Sequence, residues 1–216
     1  MENTHMEREC PTLSALAWTV IKNRYLARNC RGDLIERPAD MFHRVAASVA
    51  RADRLFDTGA DLSKTTESFE AVLASLAFLP NSPCLMNAGT PLGQLAACFV
   101  LPVEDRPEAM YQTMKEASII HEACGGIGFS FSRLRPRGDT ILQACGEGEG
   151  PVAFIRQLDT AAGRTDQNRR RPAANMAVLE ISHPDIEAFI SAKQTRGELR
   201  HFNLSVAVDD QFMECL

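Results

Sequence analysis

The residues of this 216-residue chain that are best suited to chemistry are grouped around one cysteine. Cys98 lies in a short apolar stretch, CFVL, which is typical of a strand. A loop rich in Pro, Gly and Asn precedes it at residues 81–93, and a glycine cluster and a basic turn at residues 133–137 follow it. A thiol is a compact reductant, while amides and hydroxyls in such loops bind phosphate or ribose oxygens. The order of these parts predicts a phosphate-binding pocket that contains a thiol.

Each of these features also has a purely structural interpretation. A single cysteine in an apolar strand is commonly a small core residue, and a Pro/Gly/Asn loop is commonly a turn. Gly125, Gly126 and Gly128 follow a predicted helix, whereas a dinucleotide-binding fingerprint needs a strand, then glycines, then a helix. They fit either a helix stop with a tight turn or a close approach of the backbone to a ligand. The residue pattern alone leaves both interpretations open.

The remaining polar residues exclude several classes of site. His121 and His183 have no partner at metal-ligand spacing, so we interpret them as helix-surface residues and predict no metal site. The seven cysteines include no CxxC pair, which argues against zinc binding, and their odd number argues against a disulfide framework.

Composition limits the partners of the chain. A net charge of −5 argues against non-specific nucleic-acid binding, which needs a basic surface. No apolar run approaches the roughly 18–20 residues of a membrane helix. The first ten residues, MENTHMEREC, are polar and do not form a secretory signal. We therefore expect a cytoplasmic protein without a nucleic-acid or membrane partner.

Hydrophobic periodicity predicts the elements that position Cys98. Residues 1–79 carry three helical apolar stripes and are predicted to form a helical N-terminal domain. One stripe consists of Phe42, Val45, Ala46 and Val49. At Pro80 the composition changes, and residues 80–216 are predicted to form a second domain.

In the second domain, predicted strands alternate with predicted helices. Asp105 is expected to cap the helix after CFVL, and residues 182–185 are expected to form a capping box for another helix. Further helices are predicted to begin at Pro151 and to span residues 186–193. Further strands are predicted at residues 129–132, 176–181 and 202–208. This alternation predicts an α/β fold with a largely parallel sheet.

The motifs, taken in order, resemble those of adenosylcobalamin-dependent (class II) ribonucleotide reductases. NSPCLMNAG begins at Asn81, PLGQLAACFVLPVED at Pro91 and GGIGFSFSRLRPRGD at Gly125. GPVAF, RRPAANMAVL, HPDIEAFI and FNLSVAV follow in the same order. The resemblance covers about residues 12–214 and is to the N-terminal portion of that family's large catalytic chain.

The resemblance implies a fold and an activity. The family folds as a ten-stranded α/β barrel, so we expect a helical N-terminal module followed by the first part of an incomplete barrel. The family reduces ribonucleotides to 2′-deoxyribonucleotides: adenosylcobalamin generates a thiyl radical, and two further cysteines supply electrons and close a disulfide. The implied cofactor is adenosylcobalamin. The implied partners are a ribonucleotide substrate, a deoxynucleotide effector, and either a second copy in a homodimer or a complementing reductase chain.

The resemblance also implies roles for particular residues. Cys98 matches the first cysteine of the redox pair and is therefore the candidate catalytic residue. Ser82, Ala97, Cys98 and Gly126 match positions that contact substrate.

Two loops match those that bind and relay the effector. Residues 137–151, which begin with Arg137, Gly138 and Asp139, match the specificity loop. Residues 166–176, which include Arg170 and Arg171, match the second loop, which transmits the signal to the substrate base.

The chain departs from the family pattern in these regions. Cys124 stands where the family usually has a small residue before its glycines. Glu147 and Glu149 add negative charge where a triphosphate is expected, which should weaken effector binding. Pro172 replaces a glycine in the second loop and fixes φ there.

The segment Asn-x-Cys-x-Glu, which carries the family's radical cysteine, does not occur in the sequence. We therefore expect a fragment that is inactive as a reductase by itself. The alternatives are a non-catalytic module that binds nucleotide or associates with a reductase, and one half of a split enzyme.

Overall fold

The computed structural model describes residues 12–141, 146–165 and 172–216. These residues divide into two units, the first ending at Ala97 and the second beginning at Cys98. Residues beyond the predicted boundary at 79/80, such as Leu85 and Leu95, still pack into the core of the first unit. The boundary predicted between the two domains stays a prediction.

The first unit is helical. In its described part the elements are α1 (Ala15–Arg24), α2 (Pro38–Ala50), a 3-10 helix (Arg51–Leu55), α3 (Leu62–Ala74) and α4 (Ser82–Asn87). Side-chain oxygens of Ser14, Asp61 and Asn81 accept N–H groups of the first turns of α1, α3 and α4, which satisfies donors that a helix leaves unpaired.

The core of the first unit lies mainly between α2, α3 and α4. Phe42, Val45 and Ala46 are buried and Val49 packs against them, so the apolar stripe predicted for α2 is confirmed. The loop predicted at residues 81–93 begins instead with α4, because Asn81 caps a helix and Pro83 lies in its first turn.

The second unit is built on a parallel sheet. In the order in which they pair, its strands are β1 (Cys98–Leu101), β2 (Gly126–Ser130), β5 (Asn175–Glu180) and β6 (Phe202–Ala207). The helices are α5 (Pro107–Glu122), α6 (Pro151–Thr165), α7 (Ile186–Ser191) and α8 (Asp210–Glu214). A separate antiparallel hairpin pairs β3 (Thr140–Ile141) with β4 (Gly146–Glu147). The predicted α/β fold with a parallel sheet is confirmed.

One face of this sheet is covered by helices. The register aligns Phe99, Ile127, Asn175 and Phe202 in one row and Leu101, Phe129, Ala177 and Leu204 in the next. These rows form the core face, which packs on apolar residues of α5, α6 and α7 such as Ala117, Phe154, Ile155 and Phe189.

The opposite face carries the alternate residues of the same strands. Cys98 aligns with Gly126, and Val100 aligns with Gly128, Met176 and Asn203. Val100 is 83% exposed and Met176 is 42% exposed, so α5, α6 and α7 do not cover this open face.

The cap predicted at Asp105 and the capping box predicted at residues 182–185 are both wrong. α5 begins after Arg106 and α7 after Asp185, and neither residue makes a side-chain capping bond. The Asp105 carboxylate accepts instead from Arg135 Nε at 2.7 Å. The Asp185 carboxylate accepts from the backbone N–H of Arg137 at 2.9 Å. The two carboxylates that the local sequence assigned to helix ends therefore bind donors that are distant in the sequence.

No helix in residues 12–141, 146–165 and 172–216 is both long enough and apolar enough to cross a membrane. The same residues hold no group of three or more His, Cys, Asp or Glu side chains arranged for a metal ion.

Candidate functional site

Cys98 is the first residue of β1 and is exposed on the open face. Its Cα partner on β2 is Gly126, so the structure brings these two predicted site residues side by side. Gly126 and Gly128 contribute no side chain, which leaves the backbone beside Cys98 accessible. The interpretation of Cys98 as a core residue is therefore wrong, because strand alternation points its thiol away from the helices.

The turn before β2 sets where β2 begins and so places Gly126 opposite Cys98. Cys124 has φ +64° and its N–H donates to His121 O, while the N–H of Gly125 donates to Ile120 O. This pair of bonds is a Schellman ending for α5, with cysteine in the left-handed position that glycine usually takes. A Cβ on Gly125 would lie 2.6 Å from Ile120 Cγ2 and 2.9 Å from the Phe99 ring.

The glycine cluster therefore does more than stop a helix. The interpretation of the glycines as a helix stop with a tight turn holds for the turn at Gly125. It is wrong for Gly126 and Gly128, which belong to β2.

His121 joins α5 to β5 through a buried hydrogen bond. Its Nε2 lies 2.8 Å from Oδ1 of Asn175, and both side chains are at least nine-tenths buried. The prediction that His121 lies on a helix surface is wrong, because its partner is 54 positions away and only the folded chain supplies it. Among the described residues, Nδ2 of Asn175 has no hydrogen-bond partner.

His183 is likewise buried rather than on a helix surface, which corrects the second histidine prediction. Its Nε2 lies 2.9 Å from Leu134 O, and its Nδ1 accepts the N–H of Asp185 at 3.1 Å. These partners assign the proton of a neutral ring to Nε2. The ring thereby ties the turn at residues 133–137 to the start of α7.

The predicted effector residues Arg137, Gly138 and Asp139 lie at the base of the β3–β4 hairpin. Gly138 N–H donates to Gly148 O at 2.9 Å, and Gly148 N–H donates to Asp139 O at 2.8 Å. The N–H of Arg137 is bound by the Asp185 carboxylate. The backbone of the hairpin base is therefore held in place, while the Arg137 side chain is exposed.

A cavity of about 710 Å³ lies beside this hairpin. Its charged lining residues are the basic Arg137 and Arg156 and the acidic Glu147, Glu149 and Asp185. Arg156 is also paired with Glu198 at 3.0 Å. The two glutamates that depart from the family pattern therefore face the same space as Arg137.

A second cavity of about 220 Å³ lies between the hairpin and the start of α5. The Asp105–Arg135 ion pair lies in its lining. Arg106 donates to Glu104 at 2.5 Å, and this hydrogen bond raises the pKa of the exposed Arg106 guanidinium.

Ser82, the other predicted substrate residue, lies in the first unit at the start of α4 and is half-buried. Its Oγ is 3.0 Å from the hydroxyl of Tyr25, which sequence reasoning missed. Ala97 is half-buried and directly precedes Cys98.

α4 itself is held by Arg44, which sequence reasoning also missed. The guanidinium of Arg44 pairs with Glu36, with Nε 2.7 Å from Oε1, and both side chains are largely buried. It also donates to Leu85 O at 3.2 Å and Ala88 O at 2.5 Å, which satisfies carbonyls at the end of the helix. Burial raises the pKa of the nearby Cys84 thiol, although the positive charge of Arg44 opposes this.

Part of the predicted effector site lies outside the described residues. This applies to Arg170 and Arg171, to residues 142–145 of the specificity loop and to residues 166–171 of the second loop.

Two models of known protein families together match nearly the whole chain. Residues 12–93 match the ribonucleotide reductase all-alpha domain, and residues 96–216 match the ribonucleotide reductase barrel domain. The second match confirms the predicted partial barrel, and the parallel sheet between β1 and β6 is not closed among the described residues.

Individual proteins that are similar to this chain are also named as ribonucleotide reductases. A vitamin B12-dependent ribonucleoside-diphosphate reductase of Mycobacterium tuberculosis is 44% identical over 205 residues, which are 94% of this chain and 30% of the relative. The protein of the same name from Thermoplasma acidophilum is 37% identical, over 95% of this chain and 34% of the relative. A ribonucleoside-diphosphate reductase large chain of Schizosaccharomyces pombe is 31% identical, over 94% of this chain and 24% of the relative.

The chain thus spans about a third or less of the length of these relatives. Both domain matches and the relatives lead to the same conclusion. The chain belongs to the ribonucleotide reductase family, in the portion that holds the helical domain and the first part of the barrel.

Proposed function

We propose that this chain carries part of the active site of a ribonucleotide reductase and that Cys98 is one of its two reducing thiols. The observation that carries the proposal is the position of Cys98, exposed on the open face of the barrel sheet beside Gly126. A strand in a packed sheet is a rigid mount, which a thiol needs if it is to meet one carbon of a substrate.

The proposed reaction replaces the 2′-hydroxyl of a ribonucleotide with hydrogen. The C2′–O bond breaks, the oxygen leaves as water and a C2′–H bond forms. Two thiols lose two protons and two electrons and close a disulfide, which an external dithiol then reduces. Cys98 supplies one thiol, and the remainder of the assembled reductase supplies the second. Ribonucleoside diphosphates are the proposed substrates because the relatives are named for them.

Ser82, Ala97 and Gly126 are the proposed substrate contacts. The Ser82 hydroxyl can donate to a nucleotide oxygen, and Ala97 and Gly126 allow the backbone on either side of Cys98 to approach the substrate closely. This assignment rests on their match to the family motifs and on the exposure of Cys98.

Arg137, Gly138 and Asp139, together with Arg170 and Arg171, are the proposed effector residues. The fixed backbone at the hairpin base and the cavity beside Arg137 support a ligand site there. Glu147 and Glu149 face that cavity, so a deoxynucleoside triphosphate should bind more weakly than it would without them.

Adenosylcobalamin is the proposed cofactor of the assembled enzyme, because the two most similar relatives described above are vitamin B12-dependent. Cys98 does not line either of the two cavities described above. We therefore assign no residue to the cofactor. When bound to the assembled enzyme, it would supply the initial radical.

We further propose that the protein works as a homodimer or with a complementing reductase chain in the cytoplasm. The exposed Ile119 on α5 and the outer edge of β6 support an additional contact. Size-exclusion chromatography with light scattering should show a mass above that of one chain. A stable monomer at tens of micromolar would reject the homodimer.

The acidic hairpin cavity favours a second candidate, a module that associates with a reductase without catalysing the reaction itself. The deciding experiment measures conversion of labelled CDP with adenosylcobalamin and a dithiol, with and without a polypeptide that carries an Asn-x-Cys-x-Glu segment. Turnover is expected only with that polypeptide. Cys98→Ser should abolish multiple turnover, whereas the matched control Cys30→Ser, also at an exposed cysteine, should not.

Undiminished steady-state turnover by the Cys98→Ser complex would reject the assignment of Cys98. No turnover by any combination, with nucleotide still bound, would support the non-catalytic module.

A further inference from the structure

The hydroxyl groups of Tyr25 and Ser82 form a contact that the family motifs do not assign. Tyr25 Oη lies 3.0 Å from Ser82 Oγ, although the two residues are 57 positions apart. Tyr25 follows the last residue of α1, and its side chain packs against the apolar core of the first unit. The ring is therefore anchored, and its hydroxyl faces the first residue of α4.

The position of Ser82 is fixed from the other side as well. Asn81 Oδ1 accepts the N–H of Cys84 at 2.9 Å, which sets the start of α4. The Arg44–Glu36 pair holds the carbonyls at the far end of the same helix. With the backbone held at both ends, the main freedom left at Ser82 is rotation of the side chain and the direction of its O–H bond.

We propose that Tyr25 is a positioning residue that directs the Ser82 hydroxyl toward an anionic phosphate oxygen of the bound ribonucleotide. This inference rests on the proposed function of Ser82 as a substrate contact. A phosphate oxygen only accepts hydrogen bonds, so Ser82 must donate to it. The lone pairs of Ser82 Oγ then accept from Tyr25, and the bonds run from Tyr25 to Ser82 to phosphate. Successive bonds in such a chain polarise and strengthen one another.

Calorimetric binding of CDP and of cytidine to the full chain tests the inference. Tyr25→Phe keeps the packed ring and removes the donor, so CDP affinity should fall about threefold to tenfold while cytidine affinity stays within about twofold. Ser82→Ala should weaken CDP binding by at least as much. The matched control is Tyr111→Phe, which removes the hydroxyl of the exposed tyrosine on α5 and should change neither affinity.

The double variant separates positioning from a merely structural role. If Tyr25 acts through Ser82, Tyr25→Phe combined with Ser82→Ala should bind CDP no more weakly than Ser82→Ala alone. Additive losses, equal losses for CDP and cytidine, or no effect of Tyr25→Phe while Ser82→Ala weakens binding would each overturn the inference and leave the proposed function intact. If Ser82→Ala has no effect, or the wild-type chain binds no CDP, the proposed substrate contact fails and the inference with it.

Discussion

The two faces of the parallel sheet are made from the same four strands, yet they have opposite properties. On the core face, Phe129, Ala177 and Phe202 are at most 2% exposed beneath helices. On the open face, Val100 is 83% exposed and Cys98 is accessible. Because successive residues of a strand point to opposite sides, the residues that stabilise the core alternate along each strand with the residues that are exposed for chemistry. A substitution should therefore affect one property or the other according to the parity of its position.

The largest expected effect compares side-chain truncation on the two faces. Phe129→Ala removes a buried ring that contacts Phe131 and Phe202, and it should lower the free energy of unfolding by about 3–5 kcal/mol. Val100→Ala removes methyl groups already in solvent and should change it by less than about 0.5 kcal/mol. Urea unfolding followed by circular dichroism measures both values. Similar losses for the two variants would show that the open face is covered in solution.

A smaller effect compares two glycines near the start of β2. In Gly125→Ala the new methyl would meet Ile120 Cγ2 at 2.6 Å and the Phe99 ring at 2.9 Å, so the free energy of unfolding should fall by about 1–3 kcal/mol.

In Gly128→Ala the methyl would meet only Phe99 O and Val100 Cγ2, both at an ordinary 3.9 Å. That variant should unfold within about 1 kcal/mol of the wild type. Thermal unfolding of the pair decides between these values, and the comparison fails if Gly128→Ala is the less stable variant.

The smallest effect compares a thiol on the open face with a buried one. Iodoacetamide at pH 8 should alkylate Cys98 at least about tenfold faster than Cys84, because thiolates react and burial raises the pKa of the Cys84 thiol. Peptide mass spectrometry at successive times follows each site. Equal rates in the folded chain would show that Cys84 is accessible.

The raised pKa of the Cys84 thiol also makes the stability of the fold depend on pH. A raised pKa in the folded state favours the protonated thiol. The stability that this thiol contributes is therefore fully present below the unfolded thiol pKa of about 8.5. It is lost as the pH rises through the folded value. The wild type should therefore lose more stability between pH 8 and 10 than Cys84→Ala, which has no group to titrate there. Parallel pH profiles for the two proteins would contradict this.

Sequence periodicity was sufficient for the parts of the fold that depend on local pattern. The stripe of Phe42, Val45, Ala46 and Val49 does face the core of the first unit, and α6 begins at the predicted Pro151. The alternation of helices and strands likewise predicted the parallel sheet. These features follow from spacing along one element, which a sequence displays directly.

Features that depend on distant partners could not be read in this way. His121 meets Asn175 and His183 meets Leu134 only after folding, so each histidine looked like a surface residue. Asp105 and Asp185 have the residue type of helix caps, but Arg135 and the backbone of Arg137 bind them instead. At the candidate site, the sequence predicted Cys98 and Ser82 as candidates but gave no sign of the contacts that Tyr25 makes with Ser82 or Arg44 makes with Leu85 and Ala88, each of which spans more than 40 positions.

The strand order β1-β2-β5-β6 has a consequence for how the second unit assembles. Each strand of this sheet pairs with the previous strand of the same sheet, so no strand must wait for a later one to separate it from a temporary neighbour. During synthesis, a ribosome would release each strand after its partner had already emerged. Growth in this order closes only the connections between successive strands of the sheet, and shorter connections cost less entropy to close. The sheet can therefore form progressively from its N-terminal edge, with Cys98 in the first strand to be laid down.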